Sequence, residues 1–191
     1  MIHHHIDVGG ALRRSVCHLY SDLVTRPTGA AVRQEIEQQL DRIHDRTLTV
    51  IDFSHVGLLD FSCADEVVAK LLLHSISDAG APVGFFLFRG VREEHLEAIE
   101  AVLERHGLVL LVQTADGAVH VVGELGDRER AAWEALDRVG RHSAAALSSV
   151  LGTTLEETLS ALDALCARRL AIRLDDGYLA ISSALVARGI Q

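Results

Sequence analysis

Residues 47–76, TLTVIDFSHVGLLDFSCADEVVAKLLLHSI, join two patterns that no single element satisfies. Positions 47–54 are short, apolar and β-branched without strict alternation, the composition of a strand buried on both faces. From Ala64 the period changes. Ala64, Val67, Val68, Leu71, Leu72 and Ile76 recur at helical spacing and form a broad apolar stripe. A buried strand that runs through a short loop into an amphipathic helix implies a mostly parallel sheet with helices packed on it.

The pattern repeats outward. Residues 2–8 (IHHHIDV) and 15–24 (SVCHLYSDLV) are short and partly alternating and read as two strands; in the second, Cys17, Leu19 and Leu23 share one face and His18, Tyr20 and Asp22 the other. Pro27 suits the first turn of a helix, along which Val32, Ile36, Leu40 and Ile43 follow on one side. Gly80 and Pro82 close the 64–76 helix, and VGFFLF (83–88) is another buried strand. Residues 92–107 make a third helix with Leu96, Ile99, Leu103 and His106 on one side and Gly107 as its C-cap. LVLLVQT and AVHVVGEL pair around Ala115-Asp116-Gly117.

The polar run GDRER (126–130) reads as a linker, after which the character changes. Residues 127–140 form a helix with Ala132, Trp133, Leu136 and Val139 inward, and 143–151 form a second that ends at Gly152. Thr153 or Thr154 caps a third, whose Leu155, Leu159, Leu162, Leu165 and Cys166 face one way. AIRLDDGYLAIS is a hairpin around a DG turn. Helix, helix, turn, helix, hairpin is the plan of a winged helix-turn-helix. The expected fold class is therefore α/β over residues 1–125, a mixed sheet with packed helices, followed by a winged helix-turn-helix domain over 127–185.

Composition narrows the function classes. The 191 residues are 49% hydrophobic and 24% charged, enough for packed cores and too apolar for disorder. With 18 basic and 27 acidic side chains the net charge is -9, which opposes a nucleic-acid coat or an anionic-membrane binder. Cys17, Cys63 and Cys166 are odd in number, far apart and without a CxxC pair; they read as reduced, buried thiols of a cytoplasmic protein. No run reaches the roughly 18 apolar residues of a membrane span.

The 47–76 stretch resembles the core motif of STAS domains, the fold of sulphate-transporter tails and anti-sigma-factor antagonists. The family pattern is a strand ending Asp-apolar-Ser, an apolar loop anchor, then Asp-Ser-Ser-Gly opening a helix. Asp52, Phe53 and Ser54 match the strand end, Leu58 and Leu59 the anchor and Asp60 the motif aspartate, while Ser62 stands where the family's phosphorylated serine sits. Phe61 replaces the first motif serine, and Cys63 replaces the glycine that admits a partner's backbone. The resemblance extends over residues 12–125 and is nearest to STAS-like domains of bacterial regulatory proteins. It implies a STAS-like mixed sheet and binding of a protein partner, a serine-kinase-type ATPase, through Asp60, Phe61, Ser62, Asp65 and the exposed side of the following helix.

Two roles for Ser62 stand side by side. A phosphoryl group there adds nearly two negative charges beside Asp60, Asp65 and Glu66 and repels an acidic partner surface. Alternatively, Ser62-Cys63-Ala64-Asp65 is a capping box that needs no partner.

Nothing specifies an enzyme or a cofactor. There is no GxSxG elbow, and GTTLEET lacks the lysine and glycines of a phosphate loop. His3 and His5 share a strand face, but two ligands do not complete a metal site. The winged helix raises DNA binding, with Thr154, Ser160, Arg168, Arg169 and Arg173 as candidate contacts. Charge weighs against it: residues 127–191 carry 8 arginines and 9 carboxylates, and Glu156, Glu157 and Asp163 lie at outward positions of the third helix, whereas a duplex carries one negative charge per roughly 1.7 Å. The leading expectation is a non-enzymatic bacterial regulator that acts through its STAS-like domain and is gated at Ser62. The rival is a DNA-binding transcriptional regulator whose STAS-like part serves dimerisation or sensing. Homodimerisation is compatible with both.

Overall fold

The computed structural model describes residues 2–42, 46–77 and 84–183. Ile43, Gly80, Pro82, Val83 and residues 184–185, on which parts of the expectations above rest, lie outside them. The chain divides into two compact units, Met1–Glu124 and Leu125–Gln191.

The first unit is α/β. Its strands β1 (Ile2–Asp7), β2 (Thr47–Asp52), β3 (Gly84–Arg89), β4 (Val109–Gln113) and β5 (Val119–Gly123) form one mixed sheet in sequential order. β1 to β4 run parallel and β5 returns antiparallel to β4. Crossovers of one hand between sequential parallel strands stack their helices on the same side of a sheet. The buried cluster has that form. Ile6, Ile51, Phe86, Phe88, Leu110 and Val112 meet α1 (Val8–Ser15), α2 (Arg26–Leu40), the helix that follows β2, and α5 (Glu93–His106). Leu48, Phe85, Leu87, Val109 and Leu111, on the alternate positions, are buried as well.

Two expectations are corrected here. Residues 15–24 are not a strand: β1 runs directly into α1, and the chain from Val16 onward is irregular except for a single bridge, Leu23 to Leu59. The alternation was misleading because its members do not share an environment; Leu19 is 92% exposed while Leu23 is fully buried. The helix that starts at Val8 carries two glycines where neighbours come too close for a side chain. A Cβ on Gly9 would stand 2.7 Å from the Cβ of His55, and one on Gly10 would stand 2.8 Å from an Asp7 oxygen. The second correction concerns the helix after β2, which begins at Phe61 rather than Ala64. It comprises α3 (Phe61–Ala64), a π-helical stretch (Asp65–Lys70) and α4 (Leu71–Ser77).

In the third helix of this unit the inward residues are His95, Ile99, Val102 and Leu103. Gly107 closes it at φ +61°, and Gly117 takes the turn between β4 and β5 at φ +88°, both in the left-handed region that favours glycine.

The second unit consists of α6 (Asp127–Val139), α7 (Ala144–Leu151), α8 (Leu155–Ala167) and a hairpin of β6 (Ala171–Leu174) with β7 (Gly177–Ala180). An antiparallel bridge from His142 to Tyr178 adds a short third rung. Its core holds Ala132, Trp133, Leu136, Leu147, Leu162, Leu165, Leu170 and Ile181. GDRER is not a linker: α6 starts at Asp127, and Asp127 and Glu129 suit the positive end of the helix dipole. Val139 and Leu155 are exposed instead of inward, being the last residue of α6 and the first of α8. Among the described residues no helix is long and apolar enough to cross a membrane.

Candidate functional site

The segment after β2 is pinned at its start by Asp52. One carboxylate oxygen accepts the Ser54 N–H at 2.9 Å, and the other accepts from His5 Nε2 at 2.9 Å and from Arg89 Nε at 3.2 Å. Burial works to raise the Asp52 carboxyl, but these bonds outweigh it and hold the group well below the ordinary carboxylate range. Asp-apolar-Ser at a strand end thus acts as an anchor: the aspartate ties β1, β2 and β3 together and turns the chain.

Beyond it, Val56 and Leu59 enter the core and Leu58 points to solvent. This loop is laced to residues 21–23. The Gly57 N–H donates to the Ser21 carbonyl at 2.6 Å, Leu23 N–H to Leu58 at 2.8 Å, and Asp60 N–H to Leu23 at 2.9 Å. The Leu58 N–H donates to Asp22 Oδ1 at 3.0 Å. From the other side, the buried His95 ring holds the Gly57 carbonyl through Nε2 at 2.7 Å while its Nδ1 accepts the Arg92 N–H at 3.3 Å. The Arg92 guanidinium donates to the same carbonyl.

At the helix start the cap is Asp60, not Ser62. Asp60 Oδ1 accepts from the Cys63 N–H at 2.8 Å and from the Ser62 hydroxyl at 2.9 Å. Burial raises the Asp60 carboxyl, yet these donors prevail and it lies below its usual value. Ser62 sits one turn position inside the helix, half-buried, with its hydroxyl committed to Asp60. The expected Ser62–Asp65 capping box is absent because Asp65 faces inward.

Asp65 is 5% exposed and Glu66 3% exposed. Asp65 accepts from His106 at 2.8 Å and from Arg26 at 2.9 Å; Glu66 accepts from Arg26 at 2.9 Å, from Arg33 at 3.3 Å and from Lys70. Burial opposes both charges, but the cations win and both carboxyls lie below their ordinary values. Asp65 is therefore a clamp between α2, the π-helical stretch and α5, and not a partner-contact residue. Cys63 is also turned inward. Its thiol donates to the Thr25 carbonyl at 3.0 Å, and burial, with Asp60 nearby, pushes it up to about 11. Gly29 of α2 fits against it so closely that a Cβ would lie 2.9 Å from Cys63 Cα. A close backbone approach at this position is thus made within the chain, by the glycine of α2.

Large apolar residues face solvent here beside exposed polar ones such as His18, Ser21, Thr25 and His55. Leu19, Tyr20, Val24, Leu58 and Phe61 are all exposed, Leu58 at 60%; Leu58 lies in the laced loop, Leu19, Tyr20 and Val24 flank the laced residues 21–23, and Phe61 is the first helical residue. Arg105 lies 5.9 Å over the Phe61 ring. Asp60, Phe61 and Ser62 are brought together at this surface. Leu19, Tyr20 and Val24 were missed from sequence because they were assigned to a strand; five exposed large apolar residues next to one motif had no periodic signature.

The candidate DNA contacts are dispersed. Thr154 caps α8 and accepts the Glu157 N–H at 3.2 Å, Ser160 is exposed, and Arg168 faces Glu129 at 3.8 Å. Arg169 adopts φ +61° beyond α8, and Arg173 lies 5.8 Å over the Tyr178 ring. The exposed residues of α8 include Glu156, Ser160 and Asp163. Among the described residues no group of three or more His, Cys, Asp or Glu side chains could hold a metal ion.

In comparisons with known proteins, no family model, no curated protein and no solved structure matches this chain.

Proposed function

We propose that the chain is a bacterial regulatory protein without chemistry of its own, in which the first unit is a STAS-like domain that binds a protein partner through residues 19–24 and 58–62, gated by phosphorylation of Ser62. The observation that carries this is the exposed apolar set Leu19, Tyr20, Val24, Leu58 and Phe61, on or beside two segments joined by backbone hydrogen bonds, with the half-buried Ser62 next to Phe61. Exposed apolar side chains concentrated at one edge are the feature of a surface that a partner covers. The sheet with its helices on one face and the Asp-apolar-Ser strand end support the family resemblance. A serine-kinase-type ATPase is the partner class that resemblance suggests, in the cytoplasm.

A phosphoryl group on Ser62 removes the hydroxyl that donates to Asp60 and brings nearly two negative charges within hydrogen-bond distance of that carboxylate. Cap and docking surface would be disturbed together. The second unit, proposed here as a winged helix, fits protein contact or homodimerisation better than DNA, because α8 presents carboxylates outward and Arg173 is engaged on Tyr178.

Affinity capture from the native cytoplasm tests the proposal. The wild-type chain should retain a partner that the Leu58→Ser/Phe61→Ser double variant and Ser62→Asp both lose. A partner retained equally by all three proteins would refute docking at this surface.

A further inference from the structure

We infer that the second unit holds a site for a small organic cation with an apolar tail, in a cleft between α6 and α8. The site belongs to that unit and does not rest on the docking role proposed for the first.

Small side chains make the space. Ala131 on α6, and Ala161 and Ala164 one turn apart on α8, stand where these two packed helices leave room that longer residues would fill. Two adjoining clefts result. The smaller, about 170 Å³, is lined by Ala131, Leu151, Thr153, Thr158 and Ala161. The larger, about 430 Å³, is lined by Gly126, Glu129, Ser160, Ala161 and Ala164, and falls within the roughly 300–1,000 Å³ of small-molecule sites. Asp127, Arg128 and Glu157 border both, so the Arg128–Glu157 ion pair, 3.0 Å long, lies where the clefts adjoin.

The two clefts differ in what they offer. In the smaller, the Thr158 hydroxyl donates to the Thr154 carbonyl at 2.9 Å and lies 2.9 Å from the Thr153 hydroxyl, so the threonines are engaged with each other and with the backbone. What is left for a ligand there is alanine and leucine surface. In the larger, Glu129 Oε2 is shielded from solvent and accepts no hydrogen bond; Arg168 Nε stands 3.8 Å away, too far to donate. A shielded acceptor without a donor is costly to leave unmade and is answered when a donor reaches it. The charges select the donor. Glu157 is held by Arg128 and by the cap of α8, and Glu129 faces Arg168, while Asp127 enters no ion pair among the described residues. Three carboxylates therefore meet two guanidiniums. An anion drawn to the start of α6, where Gly126 supplies no side-chain cap, would meet Asp127 and Glu129 instead. A neutral hydroxyl could donate to Glu129 but would leave the excess charge unanswered. An alkylammonium does both: its head donates to Glu129, with the exposed Ser160 hydroxyl on the same wall, and its tail runs along Ala161 towards Ala131 and Leu151. Such a ligand touches α6 and α8 together, so its binding would fix the packing of the helix that a winged helix presents to other molecules.

Hexylammonium, 1-hexanol and hexanoate share a tail and differ in the head, and each can be titrated against the full chain at neutral pH and constant ionic strength. Trp133, the chain's single tryptophan, lies one turn beyond Glu129 on α6 and reports occupancy by its fluorescence; saturation-transfer difference NMR on each probe is the second readout. Hexylammonium should saturate with a Kd of about 1 mM or below, hexanol should bind at least about 10-fold more weakly, and hexanoate should not bind. Glu129→Gln should bring hexylammonium down to the level of hexanol. Ala161→Leu should abolish binding of both while the far-UV circular dichroism stays native, and Ala164→Leu takes its place should that variant lose its fold. Equal binding of the three probes, preference for hexanoate, or no saturable signal in either readout up to about 10 mM overturns the inference. Hexylammonium binding that survives Glu129→Gln, or that survives filling of the cleft by leucine, places the cation elsewhere and overturns it as well.

Discussion

Replacing Asp60 separates a cap from a recognition residue. The Asp60→Ala change removes the acceptor for the Cys63 N–H, now at 2.8 Å, and for the Ser62 hydroxyl, now at 2.9 Å. Loss of an N-cap aspartate costs about 1 kcal/mol, and the half-buried serine hydroxyl left without its partner adds roughly 0.5–1 kcal/mol. The sum, about 1.5–2 kcal/mol, corresponds to roughly 10- to 30-fold faster exchange of the amides it protects if they exchange by local opening of this turn. Asp60→Asn keeps an acceptor oxygen and should cost only a few tenths of a kcal/mol. Ser62→Ala removes one hydroxyl and should cost about 0.5–1 kcal/mol. Hydrogen exchange by mass spectrometry on a peptide spanning residues 58–70 reads all three in the full chain. The expected order of protection lost is Asp60→Ala, then Ser62→Ala, then Asp60→Asn. If Ser62→Ala opens the segment as much as Asp60→Ala does, the serine is the cap and the geometry described here is wrong.

Two further outcomes follow from the same electrostatics. Asp52, Asp60, Asp65 and Glu66 all have carboxyls held below their ordinary values in the folded state. Their contribution is therefore complete above the unfolded-state values near 4 and is lost as pH falls through the folded ones. The thermal midpoint should be flat from about pH 8 to 5 and drop between about pH 5 and 2, and a midpoint that rises on acidification would contradict the assignment. For the second unit, a labelled random duplex in about 50 mM salt should show no anisotropy change at 10 μM protein, where a non-specific DNA binder with a Kd of roughly 10⁻⁴–10⁻⁶ M at physiological salt would bind far more tightly. Binding that weakens steeply with added salt and is lost in Arg173→Ala would restore the DNA reading.

The elements with strong local signals were legible. The buried strand at 47–54, the helix behind it, the β4–β5 turn at Asp116-Gly117 and the second unit's hairpin around Asp175-Asp176 all depend on period or turn chemistry, which a short window contains. What failed depended on partners distant in the chain. Residues 15–24 alternate in hydropathy, yet their fate is set by a loop some 35 residues later, where Ser21 and Leu23 find backbone partners at Gly57, Leu58 and Asp60. Asp65 looked like a cap partner because it stands three residues after Ser62; it is buried because Arg26 and His106, from two other helices, meet it there. Local spacing carries a capping box and a buried ion pair equally well, and only tertiary structure distinguishes them. Val139 and Leu155 followed the helical period but lie at helix ends, where the period continues and the packing does not.

Cys63, Asp65 and Glu66 share one physical consequence. Cys63 is turned inward onto the Thr25 carbonyl and is met by Gly29 of α2. Asp65 and Glu66, at the start of the helix, are consumed by Arg26, Arg33, Lys70 and His106. The helix from Cys63 to Ala69 is therefore occupied by the chain's own contacts, and the docking surface proposed above is left to Leu19, Tyr20, Val24, Leu58 and Phe61. If Arg26 were lost, Asp65 and Glu66 would each lose a cation while remaining buried, so the clamp beneath the helix depends on that one guanidinium.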